Sequence, residues 1–375
     1  MSETKKLLLG LIATLACLSV NVSAKVAIPW VFDKATKKWS KNGDAWMVGA
    51  NFVPSTAVNE LQMWQVEDYD QATIERELGF AKDLGFNTMR VFLHNLLYDP
   101  SNPEVLFNSI DGFLNTTASM DMGIMLVLLD SCWNPDPALG PQPAPIPGVH
   151  NSQWVQAPGR ALVTGPFEEF QVAVEPYVTA VVSRFGSDPR VLAWDLWNEP
   201  DNSGYTPNQI TPLLSAVFDW VEAAGPSQPT TTPLWTGHIH WSKFDSLTSL
   251  QQLQISRSDV ISFHHYNNVE LLQHAVEQLV GYDKPLVCTE YMARGANSYF
   301  NPNMEYLQEA GVAAYNWGLV SGLTQTIYPW DSSTKPYETE PDPWFHDIMT
   351  TDGICKYPDE YTYIRNITGV APVAV

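Results

Sequence analysis

Two carboxylates stand where an apolar run gives way to a loop. Trp194-Asp195-Leu196-Trp197-Asn198-Glu199-Pro200 closes one run, and Pro285-Leu286-Val287-Cys288-Thr289-Glu290-Tyr291 carries Glu290 at the end of another. An unpaired carboxylate at the end of a buried strand is costly to desolvate, so two strands that both end this way point to a working pair. Such a pair can divide the roles of nucleophile and general acid/base. Pro200 disfavours helical backbone at the residue before it, which predicts an extended, strand-like Glu199. His238-Ile239-His240 and His264-His265 suggest a different chemistry, a hydrolytic metal. That reading lacks a His-x-His on the first strand, and the eighth strand ends on Trp317 where an acidic ligand would be needed. The expectation is therefore no metal and no cofactor, with His238 or His240 lining a cleft or satisfied in the core.

The elements that must hold these residues come as eight strand-helix units. Apolar runs at Trp46–Val53, Thr88–Leu93, Gly123–Leu129, Val191–Asn198, Pro233–His238, Asp259–Tyr266, Pro285–Tyr291 and Val312–Leu319 read as strands buried on both faces. Helical patterns follow at Gln71–Leu84, Pro103–Met120, Pro166–Phe185, Asn208–Ala224, near Ser246, at Glu270–Val280, Asn303–Glu309 and Pro343–Met349. This alternation predicts the α/β class and a single (β/α)8 TIM barrel, with no linker dividing residues 25–375. Glu199 then closes strand four and Glu290 strand seven, three steps apart around the mouth. With a strand spacing of roughly 4.7 Å and a tilt of roughly 36°, their ends lie roughly 14 Å apart. Each side chain reaches about 4 Å inward, leaving about 5–6 Å between the carboxyls. The long loop from Asn134 to Pro158 follows strand three, on the face where barrels build active sites.

With these residues in place, the chain resembles glycoside hydrolase clan A, and within it family 5, the cellulase-like family, over nearly the whole of residues 25–375. Asn198-Glu199-Pro200 and the Glu290 strand carry most of the likeness. Arg90, closing Asn87-Thr88-Met89-Arg90, is similar to the family's strand-two arginine. Phe263-His264-His265-Tyr266 is similar to its strand-six His-x-Tyr, giving His264 and Tyr266. Trp317 is similar to its sugar-platform tryptophan, and Gly49-Ala50-Asn51 to its opening strand. The resemblance implies a retaining β-glycosidase in which Glu290 is the nucleophile and Glu199 the acid/base. Arg90 and Tyr266 would keep Glu290 ionised, and the Glu290 charge would raise the Glu199 pKa. Asn198 would bind the sugar 2-hydroxyl. Trp317 would stack on the sugar, with Trp133, Trp154 and Trp330 either extending the cleft or packing the loops. The chain departs from the family at Asp130-Ser131-Cys132-Trp133, where Cys132 occupies a position that often carries His.

Bulk properties agree with export and a neutral ligand. Lys5 and Lys6 precede an apolar run, Leu7–Val20, and Val22-Ser23-Ala24 supplies a cleavage site, so residues 1–24 read as a secretory signal peptide. Loss of that segment takes the formal charge from −21 to −22, which disfavours nucleic acid and anionic membranes as partners. Cys132, Cys288 and Cys355 permit at most one disulfide. The expected partner is a β-linked oligo- or polysaccharide of glucan, xylan or mannan type. The alternatives are an exo-acting β-galactosidase or β-mannosidase, and a non-catalytic carbohydrate-binding barrel. An open groove distinguishes endo action from the blind pocket of an exo enzyme.

Overall fold

The computed structural model describes residues 30–33, 35–41, 45–235 and 246–370. The proposed leader, His238 and His240 lie outside the described residues. A short antiparallel hairpin, β1 (Val31–Asp33) and β2 (Lys38–Ser40), precedes a curled parallel sheet of β3 (Val48–Asn51), β4 (Thr88–Phe92), β5 (Gly123–Val127), β6 (Val191–Asp195), β7 (Thr230–Thr231), β8 (Leu234–Trp235), β9 (Ile261–His265), β10 (Leu286–Tyr291) and β11 (Ala313–Asn316). The order around the sheet is β7-β6-β5-β4-β3-β11-β10-β9-β8. β7 pairs with β6, and β8 pairs with β9. These two-residue strands are the halves of barrel strand five, so the eight predicted strands form one barrel.

Helices cover the outside: α1 (Glu60–Trp64), α2 (Gln71–Asp83), α3 (Glu104–Ser119), α4 (Arg160–Thr164), α5 (Phe167–Phe185), α6 (Pro207–Ala224), α7 (Ser249–Arg257), α8 (Val269–Leu279), α9 (Phe300–Glu309) and α10 (Pro358–Ile367). Local chemistry sets their ends. In α6, Thr206 and Gln209 form a capping box, Pro207 opens the first turn and Gly225 closes the helix at φ 66°. The Asp70 side chain accepts from the Thr73 amide to start α2.

Two features depart from the sequence reading. The hairpin belongs to the barrel: Trp30 packs with Met125, Leu192, Ala193, Val287 and Tyr315, while Phe32 and Trp39 close over them. This aromatic plug seals the end of the barrel opposite the strand C-termini. The expected last helix at Pro343–Met349 is not helical, and α10 takes its place further on. The apolar spacing there reflects burial of Trp344, Phe345, Ile348 and Met349. The carbonyls of Trp344, His346 and Asp347 accept from the Arg294 guanidinium instead of from helical amides.

Candidate active site

Glu290 reaches the mouth of the barrel through an irregularity. Val287 packs in the barrel interior and Cys288 in the outer layer. Strict alternation would leave Glu290 on the outer face with Cys288. The register of β10 slips between Cys288 and Glu290, so that Glu290 pairs with His264 of β9. A bulge of this kind re-aims one side chain, and here it turns the carboxylate inward. Glu199 lies four residues beyond β6 and adopts φ 41°, left-handed and not the extended geometry expected from Pro200. A residue before proline is pushed toward extended backbone, so the left-handed Glu199 is held there by its surroundings. Asn202 N donates to Glu199 O at 2.9 Å, and this turn holds the conformation.

The two carboxylates meet. One oxygen of Glu199, one of Glu290 and one nitrogen of His264 all lie within 4.8 Å of one another. Arg90 Nη1 reaches Glu290 Oε1 at 3.1 Å, and the Tyr266 hydroxyl donates to Glu290 Oε2 at 2.6 Å. His264 Nδ1 lies 2.7 Å from Glu199 Oε1 and 3.4 Å from Glu290 Oε2. Arg90, fully buried, also donates to Asp195 Oδ2, Asn51 Oδ1 and Asn198 Oδ1 at 2.6–3.0 Å. Asn198 in turn donates to Asp130 Oδ1 at 2.9 Å, and Trp154 Nε1 donates to Asp130 Oδ2 at 2.7 Å. The amide of Asn198 is thus largely committed to orienting Arg90, with its sulfur neighbour Cys132 at a long 4.0 Å.

The charges follow from these contacts. Burial pushes the Glu290 carboxyl up and the neighbouring Glu199 charge adds to it, against His264, Arg90 and Tyr266. Burial also acts on Glu199, but donation by His264, Asn202 and Cys132 outweighs it and holds this carboxyl below its ordinary value. The expected elevation of Glu199 by Glu290 is therefore outweighed in the free site by the donors around Glu199. Tyr266 is pushed far up by burial and by the Glu290 charge, which keeps it a phenol and a donor. Burial raises Asp130 to about 7 against the pull of Trp154 and Asn198.

Around the pair lies a cavity of about 620 Å³, open space at its mouth included, lined by Trp133, Trp154, Trp235, Trp317 and Trp330 among others. Trp317 is nearly buried and packs edge-on to Phe92 and Trp154. Trp154 is buried, serving both the loop core and the cavity wall, whereas Trp133 and Trp330 are exposed at the rim. His94 is a satisfied core histidine, with Nε2 at 3.0 Å from Gln156 O and Nδ1 accepting from Leu96 N. Cys132, Cys288 and Cys355 are free thiols. Sequence reasoning missed Asp195 and Asp130 as partners of Arg90 and Asn198, though both adjoin the motifs, and it missed Asn202. The Glu199, His264 and Glu290 atoms are close enough to surround a cation. His264 Nδ1, however, sits 2.7 Å from Glu199 Oε1, a hydrogen-bond contact that engages the ring nitrogen a metal would need.

The loop after β5 and the loop after β11 are joined by hydrogen bonds. Gln325 Nε2 donates to Ile146 O and Val149 O at 2.7 and 3.0 Å, and its Oε1 accepts from Gly148 N. Asn151 N donates to Thr324 O, Tyr337 N to Gly148 O, and His150 N to Ser332 Oγ.

Comparison with known proteins gives a consistent placement. The model of the cellulase family, glycosyl hydrolase family 5, matches residues 48–322. Among curated protein sequences none matches. Among solved structures, an endo-1,4-β-mannanase from Rhizomucor miehei is 14% identical, covering 88% of this chain and 96% of its own, with a TM-score of 0.58. An endo-β-1,4-mannanase from Thermotoga petrophila is 13% identical over 87% of this chain and 100% of its own, TM-score 0.56. An exo-β-1,4-mannosidase from an Opitutaceae bacterium is 17% identical over 86% of this chain and 59% of its own, TM-score 0.58. At these identities the likeness establishes the barrel fold.

Proposed function

The chain belongs to glycosyl hydrolase family 5, and from that premise we propose that it hydrolyses neutral β-1,4-linked polysaccharide of the mannan type with retention of configuration. The observation that carries this reading is that Glu199 and Glu290 bring carboxylate oxygens within 4.8 Å of each other, with His264 Nδ1 in reach of both, an approach that suits a retaining pair better than the wider gap an inverting enzyme leaves for water. Mannan is favoured over glucan and xylan because the similar structures described above are named for mannan cleavage. The leader read at residues 1–24 supports export to the compartment where such polymers lie.

In this reading Glu290 attacks the anomeric carbon while Arg90 and Tyr266 stabilise its charge. Glu199 protonates the departing oxygen. Its neighbours hold the free Glu199 carboxyl below its ordinary value, so substrate must favour the acid form. A glycosidic oxygen only accepts hydrogen bonds, and it therefore favours the protonated form of Glu199. Once Glu290 is esterified its charge is gone, and Glu199, held ionised by His264 and Asn202, acts as base toward water. Trp317 supports the sugar.

A second reading, release of single sugars from chain ends, draws on the joined loops. Their inner residues His150, Asn151 and Trp330 line the same cavity as the carboxylates. Trp330 packs on Tyr266, the partner of Glu290, with ring centroids 5.0 Å apart. The wall thus stands beside Tyr266 and closes one side of the cavity that holds the carboxylates. Product profiles on β-mannan, glucan and xylan separate the two readings by ladder or monosaccharide. Mechanism is tested by azide with an aryl β-glycoside. Glu199→Ala is expected to give the β-glycosyl azide and Glu290→Ala no β-azide. An α-azide from the Glu290 variant would overturn the assignment.

A further inference from the structure

We propose that Asn202 and Cys132 are positioning residues for the acid/base carboxylate, together clamping Glu199 Oε2 and setting how readily it holds a proton. The proposal rests on the assignment of Glu199 above and on a geometry that no part of that assignment uses. Asn202 Nδ2 donates to Glu199 Oε2 at 2.5 Å, and Cys132 Sγ lies 3.3 Å from the same oxygen. Asn202 Nδ2 also reaches Cys132 Sγ at 3.2 Å, so the three groups form a closed triangle. All three are buried and line the cavity.

The backbone builds this triangle. The left-handed turn at Glu199 brings Asn202 back over the carboxylate three residues earlier. The Asn202 Oδ1 accepts from Ser203 N at 2.5 Å, which fixes the amide so that only its NH2 faces Glu199. On the other side, the chain beyond β5 runs parallel to the chain beyond β6 through the Asp130–Asn198 bridge, and Ser131 N donates to Asn198 O. Cys132 N donates to Asp130 Oδ1 at 3.0 Å, which anchors the thiol beside Glu199.

The two partners differ in what they tolerate. Asn202 presents only a donor and so favours the ionised form of Glu199, the form needed to activate water. A thiol can donate through S–H or accept at sulfur. Burial, reinforced by the Asp130, Glu199 and Glu290 charges, keeps Cys132 in the S–H form. It can therefore face both the carboxylate and the carboxylic acid as Glu199 alternates between base and acid. A histidine cation at this position would face only the carboxylate. Other titratable groups around Glu199 are His264 on β9, Glu290 on β10, Tyr266 just after β9 and Asp130 beyond β5. These stay in place in every variant below.

The test is the pH dependence of kcat/KM on an unactivated β-glycan, whose basic limb reports loss of the last proton from the Glu199–Glu290 pair and so shifts with either carboxyl. Asn202→Ala removes a donor to the charged form and should move that limb up by about one pH unit. Asn202→Asp, nearly the same shape, replaces the donor with a like charge and should move it further up, which keeps the test available should the alanine variant not fold. Cys132→Ser, which preserves donor and acceptor, should leave the limb within about half a unit, and Cys132→Val should slow glycan turnover more than turnover of an aryl glycoside with a good leaving group. A basic limb unmoved in both Asn202 variants would overturn the proposal. Glu199→Gln run in parallel separates the two levels. If its profile keeps the basic limb, Glu199 is not the acid/base and the underlying reading fails. If the limb vanishes in Glu199→Gln yet ignores Asn202, only the clamp fails.

Discussion

Removing the charge of one carboxylate should change the titration of the other by an amount the geometry sets. Their closest oxygens lie within 4.8 Å. At an effective dielectric of about 20, two unit charges at that distance repel by about 3.5 kcal/mol, or about 2.5 pH units. The pair should therefore lose its two protons in well-separated steps that belong to the pair as a whole. Glu290→Gln leaves Glu199 to titrate against a neutral neighbour, and Glu199→Gln does the same for Glu290. The upper step of the native pair should exceed the single step of each variant by roughly two units or more. Carboxyl-labelled glutamate followed by 13C NMR reads all three titrations, and the two variants assign the signals. Glu199 alone should titrate below the ordinary glutamate value because His264, Asn202 and Cys132 donate to it. Glu290 alone should fall from its value in the pair, since the Glu199 charge is one of the causes that raise it. If the native pair and both variants titrate within one unit of each other, the carboxylates do not share a site in solution. The retaining reading would then lose its physical basis.

Arg90→Met should cost about 3–5 kcal/mol, because Asp195, fully buried, loses its cationic partner; urea unfolding measures this, and Asp195→Leu in the same chain should recover part of the loss. Burial depresses His94 to about 3 against a carbonyl contact that raises it, from an ordinary 6.5. Its folded value lies below its unfolded one, so between about pH 3 and 6.5 the unfolded chain binds the extra proton. Stability from His94 is complete above that window and drains away as pH falls through it, and His94→Gln should flatten the acid side of a stability–pH curve by up to one proton. Activity should survive exhaustive chelation, since His264 Nδ1 is engaged with carboxylate oxygens; loss on chelation, restored by zinc, would return the histidines to consideration.

How far these residues could be read from the sequence depends on which physical rule fixed each one. The barrel strands were legible because burial on both faces leaves continuous apolar runs, as at Gly123–Val127 and Val191–Asp195. The hairpin was not, because β1 and β2 alternate exposed residues with half-buried ones over only three positions each. Pro343–Met349 misled in the opposite sense: apolar residues at helical spacing mark burial, and whether a helix forms depends on where the carbonyls go, here to Arg294. The site divides along the same line. Glu290 was recognisable as a strand-end carboxylate, yet its inward aim comes from a slip in β10 that no side-chain pattern encodes. Glu199 was recognisable from Asn198 and Pro200, yet its left-handed backbone is what carries Asn202 onto it. Motifs identify the residues that react because reactivity is a property of residue type. The groups that tune them are set by turns, bulges and the meeting of distant loops. In this chain Cys132 and Asn202 meet Glu199, while Asp130 and Asp195 hold Asn198 and Arg90, all from positions where the regular elements are ending.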